Sequence, residues 1–319
     1  MNRPENVILV DGNNLAYASY FSHRDLYVQE NPLKGFPTGM LYGFLMSLMR
    51  LAEVFKNAPM MIVWDGEAPS WRHREYTAYK ANRKKDEKVS EEISHQFEPL
   101  NEILNDLKIS TLRIAHAEAD DLIGILSYEL AKEVPVTIRS SDKDFYQLLD
   151  SRTQIYKNYP KEEFITASSF QLEYGVHPND WPQLRAMSGD ATDNIIGLPK
   201  VGLLTAQRLF AAGVRVPVRI ACEGGKLPDV KVPRFSTEGL NTLDWRRVNK
   251  NFRLSRIIRD MNDIRMPDGT KHIVEYKLVE FMSFSRKRSS IDRWALLKKL
   301  GKYELADVAM RVEELIFLY

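Results

Sequence analysis

Cysteine is almost missing from this chain. A single one, Cys222, stands among 319 residues. That excludes an intramolecular disulfide framework and a cysteine-based zinc site, and Cys222 reads as a packing residue, not a nucleophile. Histidine is scarce too, with six residues and no cluster. No apolar run approaches the roughly 20 residues that a membrane-spanning helix needs. Asn2, Arg3, Pro4 and Glu5 lead into a short strand instead of an apolar leader, so a cytoplasmic protein is expected. No charge sign dominates, because the formal net charge is +2. No repeat or low-complexity tract is evident.

The near-neutral total hides a segregated distribution. One basic stretch holds Arg72, Arg74, Lys80, Arg83, Lys84, Lys85 and Lys88. A second holds Arg246, Arg247, Lys250, Arg253, Arg256 and Arg259, and a third Arg286, Lys287, Arg288, Arg293, Lys298 and Lys299. The acids gather elsewhere, so an acidic site inside a basic rim is expected.

Apolar runs at Val7–Val10 and Met60–Trp64 each end at Asp-Gly and read as buried parallel strands. Further strands are expected at 111–115, 134–139 and 155–156. Helices are expected after Thr38 as cap (to about Phe55), from Ser90 or Glu91 to about Leu107, over Ala119–Ala131, and over Phe145–Leu149. The alternation predicts an α/β fold with a mostly parallel central sheet. Past Thr166 the reading is of short helices: Ala167–Tyr174, Pro178–Ser188, Leu203–Ala212, Trp245–Asp260, Ile291–Leu300 and Leu305–Phe317. Gly213–Gly239 reads as an extended excursion. The expected division is a core over 1–175, with a basic segment at about 66–90, and a helical region over 176–319.

Asp11, Asp65, Glu118, Asp120, Asp121, Asp142, Asp144, Asp190 and Asp193 each lie where a strand ends or a helix starts. Any one alone reads as a helix cap or turn residue. Open α/β sheets, however, place ligands at the carboxyl ends of their strands. Carboxylates brought together there need cations, and an oxygen-only donor set points to Mg²⁺ or Mn²⁺ rather than zinc. Two such ions suit phosphodiester hydrolysis. Met187–Gly202 adds a turn, Gly197-Leu-Pro-Lys-Val-Gly202, whose backbone amides can hold phosphate or which can be an ordinary corner.

Six blocks appear in order: Val10-Asp-Gly-Asn-Asn14, Trp64-Asp-Gly66, Tyr79-Lys-Ala-Asn-Arg83, Glu118-Ala-Asp-Asp121, Ser141-Asp-Lys-Asp144 with Gln147-Leu148, and Met187–Gly202. Together they resemble the 5′-nuclease family of flap endonucleases, phage RNase H-type 5′–3′ exonucleases and the 5′-nuclease domain of bacterial DNA polymerase I. The resemblance implies a PIN-like core with a basic arch and a helix–three-turn–helix motif at about 184–212. It implies that Asp11, Asp65, Glu118 and Asp120 bind a first Mg²⁺, and that Asp121, Asp142, Asp144, Asp190 and Asp193 bind or position a second, with Mn²⁺ able to substitute. Asp121 stands nearest to an outer role.

By the same resemblance Lys80 and Arg83 act on the scissile phosphate, Tyr79 offers a stacking surface, and Lys84, Lys85 and Lys88 contact phosphates generally. The segment carrying them is expected to be mobile, having little apolar content to bury. Gly197, Lys200, Gly202 and Thr205 are implied to grip duplex, with K⁺ at the turn. Implied substrates are branched or nicked duplex DNA with a 5′ single-stranded flap and RNA–DNA hybrid. A single-strand-binding or other replication protein is the implied partner of a monomer in a bacterial or phage-infected cell. Primer and flap removal in replication is the expected task, performed by a stand-alone nuclease.

The alternatives are a PIN-type ribonuclease, a non-catalytic DNA-binding module and a phosphatase-like hydrolase. The arch and the glycine-framed turn argue against the first, the full acid set against the second, and the basic stretches against the third.

Overall fold

A computed structural model of the chain describes residues 4–56, 58–83, 86–158, 161–218, 227–284 and 291–316. The first half runs β1 (Val7–Asp11), α1 (Gly12–Ser22), α2 (Gly39–Val54), β2 (Met60–Trp64), α3 (Trp71–Glu75), α4 (Glu87–Asp106), β3 (Ser110–Arg113), α5 (Ala119–Ala131), β4 (Val136–Arg139), a 3₁₀ turn (Lys143–Leu148), β5 (Thr153–Lys157) and β6 (Glu163–Ile165). The strands form one sheet in the order β3-β2-β1-β4-β5-β6, parallel except for the antiparallel edge strand β6. The chain leaves β1 first toward β2 and later returns on the other side as β4. The crevice at their carboxyl ends is therefore the topological switch point.

Both sheet faces are covered, which is why the strands read as unbroken apolar runs. Val7, Leu9, Met61 and Val63 face a core shared with α5. Ile8, Val10, Met60, Ile62 and Trp64 face the opposite core, under α2 and α4. The second half continues both layers. It comprises α6 (Ala167–Tyr174), a 3₁₀ turn (Pro178–Asp180), α7 (Trp181–Ser188), β7 (Gly189–Asp190), β8 (Ile195–Ile196), α8 (Leu203–Ala211), β9 (Lys231–Val232), β10 (Phe235–Ser236), α9 (Thr242–Ser255), α10 (Thr270–Phe284), α11 (Arg293–Lys302), α12 (Ala306–Arg311) and α13 (Glu313–Ile316). Trp181, Leu209 and Trp245 join the α5 core, whereas Leu296 and Leu300 join the other.

Several sequence expectations need correction. Helix α1 was not expected, because its buried face is built of small or polar residues (Gly12, Ala16, Ser19) as well as Leu15 and Tyr20. Thr38 does precede α2 but makes no side-chain cap bond. Helix α4 begins at Glu87, where the Asp86 carboxylate accepts the Val89 amide. The expected helix over 178–188 splits into a 3₁₀ turn and α7. Helix α9 starts at Thr242, where Asn241 and Asp244 form a capping box, and it ends at Ser255. The expected C-terminal helix breaks into α12 and α13. A β9–β10 hairpin lies within 213–239. Cys222 lies outside the described residues, as do Lys84, Lys85, Arg286, Lys287, Arg288 and 317–319.

Candidate active site

Capping and convergence turn out to be the same arrangement here. Asp11 ends β1 and caps α1 by accepting the Asn14 amide at 3.1 Å, while its other oxygen accepts the Ser140 hydroxyl at 2.8 Å. Asp65 follows β2 and accepts the Ala119 amide at 2.8 Å, capping α5 across the crevice. Asp142 follows β4 and accepts the Asp144 amide at 2.8 Å. Each helix or turn begins where a strand has just ended, so each cap lies at the sheet's carboxyl edge.

Asp11, Asp65, Asp120 and Asp142 line one cavity of about 430 Å³ together with Asn13, Asn14, Tyr17, Phe21, Lys80 and Arg83. Burial pushes the Asp11 carboxyl up to about 7, assisted by the charges of Asp65 and Asp142. Asp120 lies well above the usual carboxylate range, from burial and then from Asp142. Asp142 is raised as well, again chiefly by burial. Next to this group, oxygens of Asp144, Asp190 and Asp193 lie within 4.8 Å of one another. Burial and the neighbouring Asp142 push Asp144 up to about 7. Carboxylates that raise one another's proton affinity are a site that divalent cations fit, and every donor is a hard oxygen. Asp11, Asp65, Asp120 and Asp142 would hold one ion, and Asp144, Asp190 and Asp193 a second.

This regroups the expected ligands. Asp142 lines the cavity with Asp11, Asp65 and Asp120. Glu118 stands behind the cavity, where it accepts Lys80 Nζ at 2.7 Å, the Tyr79 hydroxyl at 3.1 Å and the Ser70 hydroxyl. Burial alone would raise Glu118, but the Arg72 and Lys80 cations override it and hold the carboxyl well below its ordinary value. Asp121 leaves the ligand set. It is fully buried and points away, accepting from the Arg72 guanidinium at 2.8 and 2.9 Å, the Trp71 indole at 2.8 Å and the Ile258 amide at 3.0 Å.

The first part of the basic segment is packed, whereas 81–83 and 86–88 are exposed. Trp71 and Tyr79 are each 4% exposed and Arg72 is buried, against the expectation of little apolar burial. Tyr79 therefore offers no stacking face: its ring is buried against Lys80 and His73, and its one hydroxyl proton is shared between carboxylate oxygens of Glu118 and Asp193, both at 3.1 Å. Residues 76–82 form turns rather than a helix, with Lys80 at φ +56°. Lys80 and Arg83 nonetheless reach the same rim, Arg83 donating to Asp193 at 2.6 Å. Backbone and amide bonds from Lys80 to Asp193, Asn82 to Ala191 and Asn194 to Ala78 seat this segment on the 190–194 loop. Lys88 sits on α4, exposed, with Glu92 at 3.7 Å.

At the other wall, Gly189 (φ +76°) and Gly197 cross so closely that a Cβ on either would meet backbone at 2.4 Å. This crossing ends α7 and closes the β7–β8 hairpin that carries Asp190 and Asp193. Left-handed backbone in the following turn falls on Lys200 (φ +62°), not on Gly197 or Gly202. Gly202 precedes α8 with no side-chain cap, which leaves the amides of Leu203, Leu204 and Thr205 without carbonyl partners inside the helix. The α9 stretch is partly engaged: Arg247 pairs with Asp244 at 2.7 Å, Arg253 with Glu75 at 2.5 Å, and Lys250 lies over the Tyr76 ring.

Sequence reasoning missed three contributors. Arg185 on α7 donates to Asp144 at 3.0 Å and to Asp190, bridging two acids. Its place five residues before Asp190 was the available signal. Tyr17 and Phe21, 45% and 57% exposed, form an aromatic wall one helical turn apart on α1. They were invisible because α1 itself was.

A family model described as the 5′-3′ exonuclease, N-terminal resolvase-like domain matches residues 6–175. A 5′-3′ exonuclease of Buchnera aphidicola is 37% identical over 210 residues, which is 65% of this chain and 71% of that protein. A thermostable DNA polymerase I of Thermus thermophilus is 36% identical over 205 residues, covering 64% of this chain but 24% of the polymerase. Among solved structures, the bacteriophage T5 flap endonuclease in complex with DNA and metal ions superposes with a TM-score of 0.57 over 98% of this chain and 99% of that one, at 16% identity. That likeness is one of fold.

Proposed function

The chain belongs to the 5′-3′ exonuclease family, and from that membership we propose a structure-specific 5′ nuclease that cuts near the 5′ ends of flaps, nicked duplex and RNA–DNA hybrids. One observation carries the reading: Asp11, Asp65, Asp120 and Asp142 converge on a cavity rimmed by Lys80 and Arg83. Asp11, Asp65, Asp120 and Asp142 would hold one Mg²⁺ and Asp144, Asp190 and Asp193 a second, with Mn²⁺ able to substitute. Such ions would supply an activated water and neutralise charge on the reacting phosphate. Lys80 and Arg83, now held by Glu118 and Asp193, turn toward the phosphate and stabilise charge developing on its oxygens. Residues 1–175 carry the chemistry together with Asp190 and Asp193, and the rest of 176–319 holds duplex through the amides of the first turn of α8, with Lys200 on phosphate and K⁺ at the turn. Removal of primers and flaps in replication fits this substrate class.

The stacking role expected of Tyr79 passes to Tyr17. Tyr17→Ala is expected to weaken handling of the terminal base by about 1–3 kcal/mol, seen mainly as a raised KM on flap substrate. Tyr79→Phe keeps the ring in place and should leave KM near the wild-type value. A wild-type KM for Tyr17→Ala would take the stacking role away from Tyr17.

The raised acids give a pH prediction. Asp11 and Asp144 bind a proton up to about 7 in the folded chain, against an ordinary value of 3.8. Between those values the folded state holds more protons than the unfolded one, so stability falls as pH rises through the window. Metal-free protein should melt higher at pH 6 than at pH 8, by about 2–4 °C per kcal/mol of linked protonation. Mg²⁺ should raise the melting temperature more at pH 8 than at pH 6, because cation and proton compete. Melts in two buffers, with and without EDTA, check both statements.

A panel of 5′-labelled flap, nick, hybrid and single strand, digested in Mg²⁺ and in EDTA, tests the reading as a whole. Cleavage of the flap in Mg²⁺ alone is expected. Equal cleavage in EDTA, or preference for the unpaired single strand, would favour a different nuclease class.

A further inference from the structure

Gln147 lies in one of the six blocks, yet nothing in the cleavage chemistry needs it. It is buried in the 3₁₀ turn after Asp144. Its amide donates to the Ser255 carbonyl at 2.9 Å, and its carbonyl accepts the Ile257 amide at 2.9 Å. The same amide donates to the Asp144 carbonyl. Residues 254–258, which close and follow α9, are thus read by one side chain on both a donor and an acceptor.

Two further buried groups grip the same five residues. Asp121 accepts the Ile258 amide. Arg72 donates from Nε to the Leu254 carbonyl at 2.8 Å and from Nη2 to the Arg256 carbonyl at 3.0 Å. Its remaining N–H groups meet Asp121, with Glu118 at 3.5 Å. Four guanidinium hydrogen bonds and the ion pair with Glu118 therefore hold Arg72 in one geometry. Gly124 completes the seat, because a Cβ there would lie 2.3 Å from the Ile258 carbonyl oxygen.

A second set of bonds lies one turn earlier, in the last turn of α9. Asn251 on α9 donates to the carbonyls of Ala186, at the end of α7, and of Ile196, in the β7–β8 hairpin. The C-terminal turn of α9 is thus tied to the hairpin beside the duplex-gripping turn. The residues that close and directly follow it are tied to the elements that bear Glu118, Asp120, Asp142 and Asp144. The buried hydrogen bonds to residues 254–258 come from α3, from α5 and from the 3₁₀ turn after β4.

We infer that residues 254–258 are a positioning strap that sets the distance between the duplex grip and the metal-binding carboxylates, with Gln147, Asp121 and Arg72 as positioning residues. The inference rests on the nuclease reading above. Its consequence is the length of the released product. Buried polar groups that pair completely define one arrangement, and a misplacement of about 1 Å costs about a hundredfold in rate.

Two variants loosen the strap from opposite sides. Gln147→Leu removes its hydrogen bonds to Ser255 and Ile257 along with that to Asp144, and Gly124→Ala pushes the Ile258 carbonyl off α5. The measurement is product length at single-nucleotide resolution from a 5′-labelled flap in Mg²⁺, with kcat and KM, and Mn²⁺ binding by calorimetry. Expected are products shifted or spread by one or more nucleotides, a kcat lower by about tenfold to a hundredfold, and KM and Mn²⁺ affinity within about twofold. Wild-type product length from both variants would overturn the inference, even if melting temperature falls. Lost Mn²⁺ affinity would overturn it too, by making Gln147 a support of the metal site alone. If one variant fails to fold, the other carries the test. A wild-type chain that leaves the flap uncut would overturn the nuclease reading instead, and so is distinguishable.

Discussion

Converting Asp142 and Asp144 together to asparagine is expected to slow flap cleavage by at least about a hundredfold while leaving forked DNA bound. The pair spans both carboxylate groups. Asp142 lines the cavity with Asp11, Asp65 and Asp120, and Asp144 stands with Asp190 and Asp193. Each loss weakens the hold on one cation, and such an ion contributes several kcal/mol to charge stabilisation, at about 1.4 kcal/mol per decade of rate. The fold should tolerate the change. Asp142 caps the 3₁₀ turn by accepting the Asp144 amide, and asparagine keeps an acceptor oxygen there. Removing two mutually repelling acids should also relieve the metal-free protein, so its melting temperature at pH 8 should not fall. Gel-shift binding beside single-turnover cleavage separates the two effects. Wild-type turnover by the double variant would remove these residues from the site.

Lys80→Ala is the second large effect. Cleavage should fall by about 10²–10³, the usual range for losing one preorganised donor at developing charge, with DNA affinity changed by much less. Lys80 also has a resting partner, donating to Glu118 at 2.7 Å in a mostly buried setting. Burial would lower the Lys80 pKa, but Glu118, Asp193 and Asp120 together raise it, so the ammonium stays charged across the working pH range. Its removal leaves Arg72 as the main cation facing Glu118. The variant should therefore lose activity without loss of fold. Equal losses in cleavage and binding would instead mark Lys80 as a docking residue.

The sheet was legible because its strands are buried on both faces. Val7–Val10 and Met60–Trp64 carry unbroken apolar runs that Asp-Gly ends at the site edge. The convergence of the carboxylates followed from that, since strand ends in a parallel sheet share one edge. Tyr79 was misread because an aromatic among lysines and arginines looks solvent-facing. Nothing local reveals that its ring fills the space behind Glu118. Asp121 was misassigned because its true partner, Arg72, lies 49 residues away, and adjacency to Asp120 is the only signal within the sequence. The strap at 254–258 was illegible for a similar reason. Its recognition is by main-chain amides and carbonyls, which carry no residue identity.

Cutting that is counted from the 5′ end and requires a divalent ion is the central expected behaviour. One flap substrate should be labelled at the 5′ end of its flap strand in one reaction and at the 3′ end of that strand in another. Each is digested in Mg²⁺ with an EDTA control. Short 5′-labelled products near the flap junction, with complementary long 3′-labelled products and no cutting in EDTA, are predicted. A ladder that shortens from the 3′ end, or cutting that survives EDTA, would contradict it.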